Sequence, residues 1–336
     1  MGEYFNLWKV FGYVSLLCFF YNVFGFTVSG LLVATLVYFK DDLKDLKYAK
    51  KIIIRDVSIG LFFITKLIPN IIKTGNKSAF QTITETCQKF PNKKALIAAE
   101  TGRYLTFKDI ELFINKIGHV FKKAGYKPGD KVALFMGNEL EYVPIWMGLN
   151  RIGLTVGLIN CNLQSKSLEH SLRVVDYKGI ISTSDLKPVL DDIGFCQQPE
   201  TPVYILNSAN DASDSTTKNL LSLIDKEDGK ANLEEHQFKN DDTQLMIYTS
   251  GSTGRPKAAK VVNDKIKKGL GQVGIMFDIR EDDICYNMLP MYHSNGGFLM
   301  IAPMLHIGCT TVSERNSVLP TSLLIVSNMT SHLQDT

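Results

Sequence analysis

The sequence predicts an α/β fold, a doubly wound sheet placed behind an N-terminal membrane-anchoring helix. Two observations carry this. Short, nearly all-apolar runs such as "KVALFMG" (131–137), "GLTVGLIN" (153–160) and "TQLMIYTS" (243–250) alternate with longer amphipathic segments. That is the pattern of parallel strands buried on both faces between helices. Ahead of them, "VFGYVSLLCFFYNVFGFTVSGLLVATLVYF", Val10 to Phe39, holds thirty residues without a formal charge.

A single membrane span needs about 20 apolar residues, so this stretch is long enough with length to spare. A cleaved leader has a shorter apolar core, and a buried globular helix rarely stays uncharged so long. Asn22 and Gly25 interrupt the middle, which leaves a tilted or kinked span and a re-entrant hairpin both open. Lys9 alone precedes the stretch closely; Lys40, Lys44, Lys47, Lys50, Lys51 and Arg55 follow it. Basic flanks stay cytoplasmic, so residues 1–40 read as a single-pass anchor with the body on the cytosolic side. The same lysines suit anionic membrane lipid. Residues 41–77 form a basic juxtamembrane segment. Within it "VSIGLFFITKLIPNIIK" (57–73) is broken by Lys66 and Pro69, and fits either an interfacial helix or one packed on the body.

The body begins near Ser78. "KKALIAAETGRYLTF" reads as two short strands joined by Glu100-Thr101-Gly102. Thr106, with Asp109 three residues on, caps a helix running to about Lys123, with Leu112, Ile114, Ile117, Val120 and Phe121 as its apolar face. Gly125 ends it, and "GYKPGD" is a turn. "KVALFMG" is a buried strand. The next helix covers about Glu141 to Arg151, where Pro144 is tolerated near the first turn. "GLTVGLIN" is a strand, Leu163 to Val175 a helix, and "KGIISTSD" a strand. Residues 207–243, polar and acidic, read as a solvated surface excursion. "TQLMIYTS" then returns to the sheet.

Composition narrows the function. Hydrophobic residues make up 45% and charged residues 21%, enough for a packed core. Net charge is only +3, with the basic residues scattered, which argues against nucleic acid as a partner. The six cysteines lie far apart without a CxxC, so neither a disulfide framework nor a zinc site is expected.

"IYTSGSTGRPKAAK" (247–260) carries the chemistry. Thr249 to Gly254 leave the end of an apolar strand, where open α/β sheets place ligands. Gly251 and Gly254 let the backbone turn sharply and aim consecutive N–H groups at one point. Thr249, Ser250, Ser252 and Thr253 add hydroxyl donors, and Lys257 adds a positive charge held close by Pro256. Such a donor set suits a polyphosphate. A ligand-free Gly/Ser loop is the plainer alternative, but it leaves the lysine behind a proline unaccounted for. A Walker A loop is excluded, because Gly254 is followed by Arg-Pro-Lys-Ala rather than Lys-Ser/Thr.

The string Thr249-Ser250-Gly251-Ser252-Thr253-Gly254-Arg255-Pro256-Lys257 resembles the phosphate-binding loop of the adenylate-forming (AMP-binding) enzymes, [ST]-[SG]-G-[ST]-T-G-x-P-K, at every specified position. "GLINCNL" (157–163), "KAAKVV" (257–262), "LPMYHSNGG" (289–297) and the anchor resemble one branch, the fatty-acid transport proteins and very-long-chain acyl-CoA synthetases. The similarity runs to about residue 312. It implies the N-terminal part of an adenylate-forming large domain with a mixed sheet over 78–312, in an endoplasmic reticulum or plasma membrane. It implies ATP-dependent activation of a long-chain or very-long-chain fatty acid through an acyl-adenylate, coupled to fatty-acid uptake, with ATP, magnesium and coenzyme A. Ser250, Ser252, Thr253, Gly254 and Lys257 would hold the ATP phosphates, with Thr249 and Gly251 in the same loop. Tyr292 and His293 would line the acyl-adenylate pocket, and Lys257 and His293 would act in catalysis. Without the resemblance, His293 between Tyr and Ser near a Gly-Gly turn reads equally as a structural histidine.

The family continues past this loop to an aromatic Thr-Glu motif, a ribose-binding aspartate, a hinge and a small domain with a catalytic lysine, none of which is found here. Residues 313–336 read as a divergent tail. The expectation is therefore a partial chain of a membrane-anchored ligase; the alternative is a non-catalytic short form that binds nucleotide or fatty acid at the membrane. A homo-oligomer is left open.

Overall fold

The computed structural model describes residues 78–206, 216–231, 233–249 and 256–315, the backbone of Leu324–Val326, and seven isolated positions between Val57 and Pro69. The chain divides into two compact units, Met1–Ile64 and Thr65–Thr336. The anchor read at Val10–Phe39 and the basic residues Lys40 to Arg55 lie outside the described residues. Among the described residues no helix is long and apolar enough to cross a membrane. Of the stretch read at 57–73, Val57, Ser58, Gly60 and Leu61 are helical, and Val57, Leu61 and Ile64 are exposed.

In the second unit, α1 (Ala79–Lys89) precedes a hairpin of β1 (Lys94–Ala98) and β2 (Tyr104–Thr106). The expected turn is formed, with Ala98 N–H donating to Arg103 O at 2.8 Å. Helix α2 (Phe107–Lys123) starts as the sequence predicts. Thr106 Oγ1 accepts from Asp109 N–H at 3.1 Å, and Asp109 accepts in return from Thr106 N–H. Gly125, at φ +89°, follows its end. Alternation then runs through β3 (Lys131–Phe135), α3 (Tyr142–Arg151), β4 (Thr155–Leu158), α4 (Ser165–Arg173), β5 (Gly179–Thr183), α5 (Lys187–Asp192), β6 (Val203–Leu206), β7 (Thr217–Asn219) and α6 (Leu220–Asp225). After β8 (Thr243–Thr249) come β9 (Lys257–Val262), α7 (Asn263–Met276), β10 (Ile284–Asn287), α8 (Ala302–Ile307), β11 (Thr310–Ser313) and β12 (Leu324–Val326).

A seven-stranded sheet has the order β7-β6-β5-β3-β4-β8-β9, parallel except for the edge strand β9, which runs against β8. From β3 the chain steps to β4 on one side and then to β5 on the other, the reversal that opens a crevice at the strands' C-terminal ends. Strand β3 shows why both faces are covered: Val132 and Leu134 join the core that includes α2 and α3, while Ala133 and Phe135 join the one that includes α4 and α5. Each buried Leu, Ile or Phe stabilises by about 1.5–3 kcal/mol.

The sequence does not say which sheet the hairpin β1–β2 joins, and one expectation needs correction. The hairpin lies outside the seven-stranded sheet. It belongs to a second, five-stranded sheet of order β12-β10-β11-β1-β2, in which Leu96 of β1 lies opposite Thr311 of β11. The segment 207–243, read as surface excursion, also contributes β7 and α6. Asn219 accepts from Ser222 N–H to start that helix, and Leu220, Ile224 and Leu233 are buried, so three apolar positions outweigh the polar composition around them.

A chain of buried amides clamps the base of the β8–β9 hairpin. Trp146 Nε1–H donates to Asn150 Oδ1 at 2.7 Å, and Asn150 Nδ2 donates to Leu154 O at 2.8 Å and to Gln244 O at 3.0 Å. Gln244 Nε2 donates to Asn263 Oδ1 at 2.9 Å, and Asn263 Nδ2 reaches Phe238 O and Lys239 O. One side chain thus links the end of α3, the start of β4 and the start of β8. Asn150→Ala strips partners from Trp146 Nε1–H and two carbonyls. Unfolding free energy in urea should fall by about 3 kcal/mol, since each buried polar group left unpaired costs roughly 1–3 kcal/mol.

Candidate functional site

Thr249 ends β8 and Lys257 begins β9. The two are opposite one another in the hairpin, and Thr249 Oγ1 donates to Lys257 O at 3.5 Å. The structure therefore fixes both ends of the hydroxyl- and glycine-rich run, at the C-terminal edge of the parallel sheet. Ser250, Gly251, Ser252, Thr253 and Gly254 lie outside the described residues. The Lys257 side chain is exposed and forms no ion pair among the described residues.

Tyr292 and His293 sit in a turn held by its neighbours. Asn138, buried just past β3, donates from Nδ2 to Leu289 O and Glu314 O at 2.9 Å each, and its Oδ1 accepts from Met291 N–H at 2.7 Å. Asn287 donates to Gly296 O and accepts from Leu289 N–H. The two glycines are there for closeness. A Cβ at Gly296 would lie 2.3 Å from Pro290 O, and one at Gly297 would lie 2.0 Å from Met291 O. Both glycines lie within a π-helical turn, Ser294–Leu299, capped by His293, whose Nδ1 accepts from Asn295 N–H at 3.3 Å. That leaves Nε2 as the donor of a neutral ring.

Tyr292 is half-buried and reaches the loop after β4, where its hydroxyl accepts from Asn162 Nδ2 at 3.3 Å. Burial raises the Tyr292 phenol, so it stays protonated at neutral pH. Because β4 lies beside β8, Tyr292 and Thr249 are brought to neighbouring strand ends. His293 is exposed on its own turn, and among the described residues no hydrogen bond joins it to Thr249 or Lys257.

Sequence reading missed the polar frame around this edge. Arg315, just past β11, pairs through Nε with Glu139 at 2.8 Å and approaches Asp185, past β5, at 3.5 Å. Arg103 pairs with the buried Glu141 at 3.1 Å. Burial pushes the Glu139 carboxyl up, opposed by Arg315. These groups tie the C-terminal ends of β3 and β5 to that of β11, so they join the two sheets. The one available signal was Asn138, a polar residue directly after an apolar strand.

Residues 83–331 match the family described as AMP-binding enzyme. The chain belongs to that family. The match begins inside α1 and passes Val312, where the resemblance read from the sequence stopped. Human long-chain fatty acid transport protein 1 is 30% identical over 238 residues, 68% of this chain and 35% of that protein. Mouse long-chain fatty acid transport protein 6 is 32% identical over 66% of this chain and 36% of its own length. The chain thus spans about a third of the length of these relatives. Among solved structures, a long-chain-fatty-acid-CoA ligase from Archaeoglobus fulgidus superposes with a TM-score of 0.63 at 20% identity, covering 71% of this chain and 47% of that one. An anthranilate CoA ligase in complex with anthranoyl-AMP gives 0.60 at 20% identity, over 70% of this chain and 45% of that one. At this identity the likeness concerns the fold: the mixed α/β architecture is that of adenylate-forming enzymes.

The packing of the Gly-Gly turn is directly testable. Gly297→Ala should lower the unfolding free energy by about 1–3 kcal/mol, because the new methyl meets the fixed carbonyl of Met291 rather than a side chain able to yield. Urea titration of the variant against the parent reads it.

Proposed function

We propose that this chain supplies the nucleotide grip of an enzyme that activates long-chain fatty acids as acyl-adenylates. One observation carries the reading: Thr249 and Lys257 face each other across the mouth of the hairpin loop that holds Ser250, Gly251, Ser252, Thr253 and Gly254, at the ligand-bearing edge of the sheet. The donor set fits a polyphosphate anion. It offers hydroxyls, backbone N–H groups and an ammonium that forms no ion pair among the described residues, and no carboxylate lies between Thr249 and Val262. The family and the transport-protein relatives support a fatty acid as the second substrate.

In the proposed reaction a carboxylate oxygen of the fatty acid attacks the α-phosphorus of ATP. The bond from that phosphorus to the bridging oxygen breaks, and pyrophosphate leaves with the electron pair. Lys257 and the loop donors hold the β- and γ-phosphates, so they neutralise the charge that grows on the leaving group. Tyr292 and His293 bound the acyl side, with Nε2–H of His293 as a donor toward the adenylate. Coenzyme A then takes the acyl group and AMP departs. Among the described residues no group of three or more His, Cys, Asp or Glu side chains forms a metal site. Magnesium would come bound to the nucleotide phosphates. No residue of this chain is assigned to coenzyme A.

Lys257→Met removes the charge while keeping the stem. ATP affinity in equilibrium dialysis should fall roughly 10- to 150-fold, the worth of a charge-assisted contact, with AMP affinity little changed. Equal loss for ATP and AMP would sink the phosphate assignment.

The same proposal puts Val10–Phe39 across a membrane, supported by its thirty uncharged residues and by the six basic residues from Lys40 to Arg55. Deleting residues 1–40 should move the protein from the carbonate-resistant membrane pellet to the supernatant. A deletion variant that still sediments with membranes would show that another segment holds it there.

A further inference from the structure

The strand end that presents Thr249 is held by a device outside the loop. Tyr248, the residue before Thr249, donates its hydroxyl to Ser171 O at 2.6 Å. Ser171 lies in the last turn of α4, where helix carbonyls have no amide partner along the helix. A hydroxyl has one proton, and Tyr248 spends it on Ser171, so the 2.9 Å contact between the two phenols runs from Tyr177 to Tyr248. Burial raises Tyr248 to about 12 and Tyr177 further, so both hydroxyls keep their protons at neutral pH.

Tyr177 reaches Tyr248 only because β4 has no side chain in the way. A Cβ on Gly157 would lie 1.8 Å from the Tyr177 hydroxyl oxygen. Gly157 itself stands between Ala133 of β3 and Met246 of β8. Four separated positions, 157, 171, 177 and 248, therefore converge on one hydroxyl chain one residue from the loop. The amide clamp at Gln244 and Asn263 holds the opposite end of the same hairpin.

We infer that the Tyr177–Tyr248 hydroxyl pair is a positioning device, fastening the loop-bearing end of β8 to α4 so that Thr249 and Lys257 meet a polyphosphate in fixed register. Its ligand side rests on the phosphate-grip reading proposed above. Neither tyrosine touches the nucleotide; both act through Thr249 and the strand.

The test uses the full chain and its Y248F and Y177F variants, which keep each ring and lose only the oxygen. Bound trinitrophenyl-ATP is displaced with inorganic tripolyphosphate, and amide hydrogen exchange is read along 243–249 and 257–262 without ligand. Y248F is expected to weaken tripolyphosphate about 3- to 10-fold, the worth of one hydrogen bond, and Y177F by less. Exchange should quicken at Thr249 and Lys257 while the Gln244 and Val262 end keeps its protection, a local loosening that general destabilisation would not give. Unchanged displacement and unchanged exchange in Y248F would overturn the inference and leave the phosphate reading standing. If the parent chain itself ignores tripolyphosphate, the phosphate reading falls and takes this assignment with it.

Discussion

The hairpin that carries the candidate site depends on a buried amide chain at its base. Asn150 holds the start of β8 through Gln244 O, and Gln244 holds the residue after β9 through Asn263. Buried polar groups of this kind stabilise only when every member is satisfied. Here each amide finds a partner, so the network sets register as well as stability. With the base fixed, strand pairing carries that register to Thr249 and Lys257.

The ends of the two sheets are joined by charge rather than by apolar packing alone. Arg315 leaves β11 and meets Glu139 beyond β3 and Asp185 beyond β5. Asn138 adds neutral bonds to the turn that carries Tyr292. Exposed pairs of this sort are worth little singly, about 0–1 kcal/mol. The Arg315–Glu139 pair is partly buried on its acidic side and belongs to a network, so its weight lies in geometry: it fixes which strand ends of one sheet face the other.

Local features were legible in the sequence, and non-local ones were not. The Thr106–Asp109 cap, the Glu100–Gly102 turn, the alternation from β3 to β5 and the return at β8 each follow from neighbours within a few residues, whereas α5, β6, β7 and α6 were not read from the sequence. The hairpin β1–β2 was visible, but the sheet it joins was not, because its parallel partner β11 comes near the end of the described chain and leaves no trace in local pattern. Strand β9 was missed for a similar reason. "KAAKVV" has only a weak alternation, and its edge position leaves Lys257, Ala259 and Lys260 exposed. The phosphate loop was legible as chemistry, since the residue types alone define a donor set. Its supports were hidden: Tyr177 and Ser171 are unremarkable in sequence, Gly157 stands out only as the first residue of "GLINCNL", and all three acquire this role only when β4, α4 and β8 are packed together.

The central claim is that Lys257, at the mouth of the β8–β9 loop, contacts the phosphates of ATP. The most direct measurement is the rate of lysine acetylation by a soluble active ester, followed by mass spectrometry, with and without magnesium-ATP. Lys260 is exposed on the same strand and serves as the internal reference. The account predicts that ATP slows modification of Lys257 several-fold in proportion to site occupancy while Lys260 reacts as before. Equal rates at Lys257 with and without saturating ATP would contradict it.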